Sequence, residues 1–378
     1  MPTIHEKAVQ ACRDILSKNL KLREDQRVVL IHQSSSGFPL NGLLAAAYTE
    51  ALASHERFES IEFDPEQAVE LKAKLYAMCK GDVAILIQNT GFQLSSFRIR
   101  LDLKNREIFV IEHNHVEYST DPTEIENYIN AISYDGEHFE TTSFKLVEAL
   151  KDAKEIVVVS SDGSRLVYTG PFEDGKKNIG DLSANLGSFY PIGEVFCEPV
   201  DLFKANGEFL VYAFPDNQFA TQVVEPFKVV LKDGKVVSHD GPADFDRLIN
   251  LIKTENDRAI ARRVDDAKYE LVPEEEKDEV DKVEGTTEVL ETKTSNEVWV
   301  REMGFGLNRA IGKHAVLSFV SAHERQAGFH ISLGLKHGVY RKKMVKKINQ
   351  RFHIDMFVDV AQILFDENVV FSDGKYLL

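Results

Sequence analysis

Three short runs, Val28-Val29-Leu30-Ile31-His32, Val83-Ala84-Ile85-Leu86-Ile87 and Ile108-Phe109-Val110-Ile111, are apolar almost without interruption. Strands that alternate apolar and polar residues leave one face wet; continuous apolar strands need cover on both faces, as in a parallel sheet. The intervening sequence supplies that cover. Residues 4–20 place Ile4, Ala8, Ala11, Cys12, Ile15, Leu16 and Leu20 at helical spacing, and 40–52 is rich in Ala and Leu. Helices are also expected over 66–79, over 121–132 with Asp121 as N-cap and Pro122 at the first helical position, and over 142–150. Strand and helix alternate, so residues 1–154 are predicted to form an open, mostly parallel α/β domain of Rossmann-like layering. The polar turn Gln33-Ser34-Ser35-Ser36-Gly37 after the first strand has neither the Gly-rich dinucleotide fingerprint nor the P-loop lysine, which argues against a nucleotide there.

From Ile156-Val157-Val158-Val159 onward the character changes. Short strands are expected at 165–168, 208–212 and 227–231, and Asp233-Gly234 ahead of Val236-Val237 is a hairpin signal. A single helix is expected over 243–253. Residues 272–297 are acidic and polar, and read as a solvated insertion before order resumes at Val298-Trp299-Val300. Residues 155–378 are therefore predicted as a strand-rich α+β domain.

Forty-five Lys and Arg against 61 Asp and Glu leave a formal charge of -16, the wrong sign for a general nucleic-acid binder. Cys12, Cys79 and Cys197 are scattered and read as reduced, buried thiols. No basic-then-apolar leader opens the sequence and no apolar run reaches the length of a membrane span, so a cytoplasmic protein without a membrane partner is expected.

Candidate functional residues gather in the last quarter, joined by one earlier glutamate. Glu194 lies in the Gly-containing turn Pro191-Ile192-Gly193-Glu194; a buried carboxylate must meet a cation or donors, so it is a salt-bridge partner or a metal ligand. Glu302 precedes Gly304-Phe305-Gly306, whose glycines permit a close backbone approach, and Asn308, which can bond its own backbone. His330 opens the apolar run Ile331-Ser332-Leu333-Gly334, as a core imidazole or a ligand. In His353-Ile354-Asp355 the two ends share one strand face, which suits chelation or one group orienting the other. Together these five offer oxygen and imidazole donors to one or two divalent transition ions. His314, His323 and Glu324 are further candidates, although His323-Glu324-Arg325 reads as an exposed local ion pair. The basic run Arg341-Lys342-Lys343 with Lys346-Lys347 reads as a solvated helix face, or as a grip on a carboxylate-bearing substrate.

These four motifs, in this order, resemble those of the aminopeptidase T and aminopeptidase S metallopeptidases: a Gly-Glu turn, Glu-x-Gly-x-Gly-x-Asn, His-x-Ala/Ser-Leu-Gly and His-x-Asp. The resemblance covers about residues 155–378. It implies a two-domain, dimeric enzyme with two adjacent ions of zinc, cobalt or manganese. Glu194, Glu302, His330, His353 and Asp355 would be the ligands, and Glu302 a catalytic carboxylate. The substrate would be a peptide or a small amino-acid-like molecule. Where the family has a tyrosine after His-x-Ala/Ser-Leu-Gly, this chain has His337, with Tyr340 three residues on as a substitute oxyanion donor. The scaffold is also similar to that of ring-opening dioxygenases acting on dihydroxypyridines, which would use His330, His353 and Asp355 around one iron. A third expectation, motivated by His337, is a non-catalytic peptide-binding protein on the same scaffold.

Overall fold

The computed structural model describes residues 2–33, 37–89, 99–254, 261–265, 268–271, 297–334 and 353–378. Five parallel strands form the first sheet, in the order Phe58–Glu62, Val28–His32, Val83–Ile87, Phe109–His113 and Gly187–Tyr190. Alternate side chains of its central strands feed two separate cores. Val28, Leu30, Val83, Ile85 and Ile87 pack with the helices Ile4–Asp14, Pro39–Ala51, Pro122–Ile132 and Gly136–Asp152. Val29, Ile31, Ala84 and Leu86 pack with Leu71, Leu75, Ile99 and Leu103 of the helices Ala68–Tyr76 and Ile99–Asn105. Both faces are covered, as the unbroken apolar runs require.

The helix Ile99–Asn105 was not expected, and two further elements depart from expectation. The strand Phe58–Glu62 carries no continuous apolar signal, because it is a half-exposed edge whose Ser60 and Glu62 face solvent. The helix expected over 142–150 begins earlier, at Gly136, where the Asp135 carboxylate accepts from the His138 N–H and caps it. Asp121 and Pro122 act as the sequence suggests, with the Asp121 side chain accepting from Thr123 and Glu124 N–H groups.

The second sheet is antiparallel throughout. Its path runs Lys375–Tyr376, Asn368–Ser372, Val360–Phe365, Glu155–Ser160, Arg165–Thr169, Ala205–Pro215, His353–Val358, Gly328–Gly334, Val300–Gly306, Glu194–Cys197 and Lys176–Asn178. Thr221–Lys232 pairs with Ala205–Pro215 and returns into Lys235–His239. That turn is the expected two-residue hairpin, with φ of 50° at Asp233 and 75° at Gly234. The single expected helix forms as Ala243–Thr254 and buries Phe245, Leu248, Ile249 and Ile252.

The two sheets are bound closely. The strand Gly187–Tyr190 closes the parallel sheet, yet the next one, Glu194–Cys197, belongs to the antiparallel sheet. The buried Glu124 accepts from the Ser318 N–H at 2.7 Å and its hydroxyl at 2.8 Å. No helix among the described residues is long and apolar enough to cross a membrane. Cys12 and Cys197 are buried, but Cys79 is exposed, in the turn beyond the helix Ala68–Tyr76, where its N–H donates to the Asp82 carboxylate at 2.8 Å. The acidic stretch lies outside the described residues up to 296; Glu297 pairs with Lys235 at 2.7 Å.

Candidate metal centre

The candidate ligands converge on four adjacent strands of the antiparallel sheet. Glu194 follows the Gly193 turn, where φ is +113° and a Cβ would press on the Phe139 ring at 2.8 Å, so glycine is required. Across the ladder Glu194 sits opposite Gly306, and Gly304 sits opposite His330. A Cβ on Gly304 would overlap the His330 imidazole, and one on Gly306 would overlap the Gln326 carbonyl. The Gly-x-Gly repeat is thus a cradle: the first glycine vacates the space the imidazole fills. Between Val300 and Met303 the ladder shifts register, leaving Glu302 with its N–H donating to Ser332 Oγ at 3.0 Å. Asn308 bonds its own backbone through Ala310 N–H, and its amide also donates to Ala131 O at 2.7 Å and Ile192 O at 3.0 Å.

His330 is fully buried, and Glu194, Glu302 and Asp355 are 4, 4 and 6% exposed. His330 Nε2 lies 3.2 Å from Glu194 Oε1 and 3.8 Å from Glu302 Oε1. His353 Nε2 lies 4.0 Å from Glu302 Oε2 and 3.4 Å from Asp355 Oδ1. Glu302 therefore turns one carboxylate oxygen toward each imidazole. Ligand atoms fall into three overlapping groups, each within 4.8 Å: Glu194, Glu302 and His330; Glu302, His353 and Asp355; and Glu324, His330 and Asp355.

Glu324 and its neighbour correct the sequence reading. The His323-Glu324-Arg325 segment ends a short buried helix, Val320–His323, and turns inward. Arg325 Nη1 lies 2.7 Å from Glu194 Oε2 and also contacts Glu324 Oε1, so the expected local pair exists, but inside the cluster. The clue in the sequence was the apolar flank on each side of the polar triplet, Val320 and Ala322 before it and Phe329 after it. His323 is buried against Tyr212 Oη at 3.1 Å, and burial holds its imidazole down at about 3, so it stays neutral. His314 is exposed and takes no part. His337 and Tyr340, like the basic run beyond them, lie outside the described residues.

Buried charge on this scale needs compensation. Burial opposes charge on His330, but the Glu194 and Glu302 carboxylates hold its imidazole well above the usual range. Burial likewise raises Glu194, and Arg325 with His330 outweighs it, leaving the carboxyl below its ordinary value. Burial, joined by Asp355 and Glu194 against the opposing Arg325, pushes Glu324 well up. Even so, Glu302 Oε2, Asp355 Oδ1 and both nitrogens of His330 make no aligned hydrogen bond. Buried polar atoms in a native protein are nearly always satisfied, so four such atoms within one cluster fit the ligands of a cation. Carboxylate and imidazole donors together suit a divalent transition ion.

Fold and cluster define the class: a parallel α/β layer joined to a curled antiparallel sheet that carries a candidate metal centre. No family model and no curated protein matches the chain. Among solved structures it is similar to 2,5-dihydroxypyridine dioxygenase from Pseudomonas putida KT2440, with a TM-score of 0.60 and 13% identity, covering 100% of this chain and 98% of that one. It is also similar to AmpT, aminopeptidase T, from Thermus thermophilus, with a TM-score of 0.57 and 12% identity over 100% of both chains. At these identities the likeness is one of fold.

Proposed function

We propose that the chain is a metal-dependent, aminopeptidase-like hydrolase that removes residues from the N-terminus of peptides, acting as a homodimer with two divalent ions. The observation that carries this reading is Glu302, whose two carboxylate oxygens face separate imidazoles, His330 and His353. A shared carboxylate between two donor groups supports a pair of ions better than one. Glu194 and His330 would complete one position, His353 and Asp355 the other. Bound there, such ions lower the pKa of water and polarise a carbonyl. Glu324, whose carboxyl burial pushes well above its ordinary range, is suited to hold and return a proton beside them.

A second reading is a mononuclear iron dioxygenase, favoured by the fold similarity to the dihydroxypyridine enzyme. Against it, each of the three donor groups holds a single imidazole, whereas a two-His, one-carboxylate site needs both in one. Elemental analysis of protein purified without chelator decides between them. Two equivalents of zinc, cobalt or manganese are expected, lost in Glu194→Ala and His353→Ala, with chelator-sensitive cleavage of amino-acid amides. One equivalent of iron would transfer the assignment to the oxygenase. Peptide binding without turnover would leave a binding protein, and no metal after reconstitution would end the metal reading.

A further inference from the structure

The segment that delivers Glu324 and Arg325 to the cluster is gripped by the parallel layer. Ser318 opens it, and Glu124 of the helix Pro122–Ile132 accepts from the Ser318 N–H at 2.7 Å and from its hydroxyl at 2.8 Å. Ser119 Oγ donates to the same carboxylate at 3.2 Å, so Glu124 is the acceptor in all three bonds. Tyr128, Ile129 and Ile132 of its helix are buried and Asp121 caps the first turn, so the carboxylate is presented from a rigid element. Next to Ser318, the Phe319 ring meets those of His115 at 4.4 Å and Tyr118 at 5.8 Å between centroids. The chain then passes through the helix Val320–His323 into Glu324 and Arg325. At the far end the Asn308 N–H donates to Arg325 O at 2.9 Å.

From these contacts we infer that Glu124 is a positioning residue for the centre: by seating Ser318 it fixes residues 318–325, and so sets where Glu324 stands against His330 and Asp355. The latch itself stands on these contacts, whereas its effect on turnover rests on the hydrolase reading above. A four-residue helix is too short to hold its own shape, so whatever fixes its two ends fixes it. One end is tied inside the cluster, through Arg325 and Glu194. The other is tied at Ser318, by Glu124 from the parallel layer and by the Thr221 N–H, which donates to Ser318 O at 2.6 Å. Bonds to a carboxylate are stronger than neutral ones, so the Glu124 pair outweighs the single amide bond. Misplacing a reacting group by about 1 Å can cost on the order of 100-fold in rate, so a loosened latch reaches the chemistry without touching it.

The first test is hydrogen exchange, read by mass spectrometry, on wild type, Glu124→Ala and Glu124→Gln. In Glu124→Ala the backbone amides of residues 317–326 should exchange about tenfold faster or more, with those of Gly328–Gly334 and Val28–His32 unchanged. Glu124→Gln should bring the segment back to within about threefold of wild type, because its amide oxygen still accepts from the Ser318 N–H and its NH2 group donates to the hydroxyl. Should Glu124→Ala not fold, Ser318→Ala, which removes the hydroxyl bond alone, should raise exchange in the same segment about threefold. The second test is a double-mutant cycle on amide cleavage by the cobalt-loaded enzyme. Glu124→Ala and Glu324→Gln should each lower kcat about tenfold or more, and the double variant should be no slower than Glu324→Gln. Exchange that is unchanged in the segment or raised everywhere alike, or losses in kcat that multiply, would overturn the inference and leave the hydrolase reading in place. A wild type that cleaves no amide would end the hydrolase reading, and exchange alone would then decide the latch.

Discussion

The chemistry of this centre depends on what one residue lacks. Gly304 occupies the ladder position facing His330, and any side chain there meets the imidazole itself rather than the flexible tip of a neighbour. Gly304→Ala is therefore expected to cost about 1–3 kcal/mol of stability by overpacking. It should also lower metal retention at least tenfold; denaturant midpoints and metal content on one preparation read both. Unchanged metal content would mean that His330 is no ligand. At this scale the sequence was legible where a motif had a geometric reason, as in the paired glycines and the alternate positions His353 and Asp355. It was hard to read at Glu324 and Arg325, where the apolar flanks were the one clue, because a four-residue helix carries too little periodicity to reveal that the residues at its end turn inward.

Elements were readable in proportion to their burial. The strands Val28–His32 and Val83–Ile87 are buried at every position and announced themselves. Phe58–Glu62 is an edge strand whose half-exposed pattern resembles a loop, and only its parallel pairing to Val28–His32 marks it as part of the sheet. The helix Pro39–Ala51 contains Gly42 with nothing near the position of a Cβ. Glycine within a helix costs roughly 0.5–1 kcal/mol relative to alanine. Gly42→Ala should raise the unfolding free energy by about that much with no change in metal content, as urea denaturation would measure. A loss of stability instead would show that the helix packs more tightly at that point.

For the molecule as a whole, acid is the expected weakness. His113 is fully buried between Tyr48 and Tyr128, its Nε2 2.8 Å from one hydroxyl and its Nδ1 3.0 Å from the other. Burial lowers its pKa to about 3, and His323 is held at about 3 as well. The unfolded chain takes up a proton on each ring near pH 6.5, whereas the folded chain refuses it until about pH 3. Unfolding therefore gains protons throughout that window, and stability falls as pH drops through 6.5 toward 3. Between pH 7 and 5.5 the loss should be about 1 kcal/mol per ring. Denaturation curves at the two pH values, repeated with His113→Gln, would show the slope diminish in the variant; an unchanged slope would mean that His113 does not set it. Sequence indicated two architectures in series but not their interlacing, since the pairings of Gly187–Tyr190 and the grip of Glu124 on Ser318 are long-range contacts without a local signature.

That interlacing bears on how the gene can be divided. A fragment ending at residue 154 would keep four of the five parallel strands and lose Gly187–Tyr190, laying bare the hydrogen-bonding edge of Phe109–His113. An open edge of that kind recruits any extended chain it meets. The complementary piece would carry the missing strand with no sheet to receive it. Neither half would be complete alone, and the candidate ligand cluster, whose first member Glu194 lies four residues beyond Tyr190, draws its residues from the strands past that exchange.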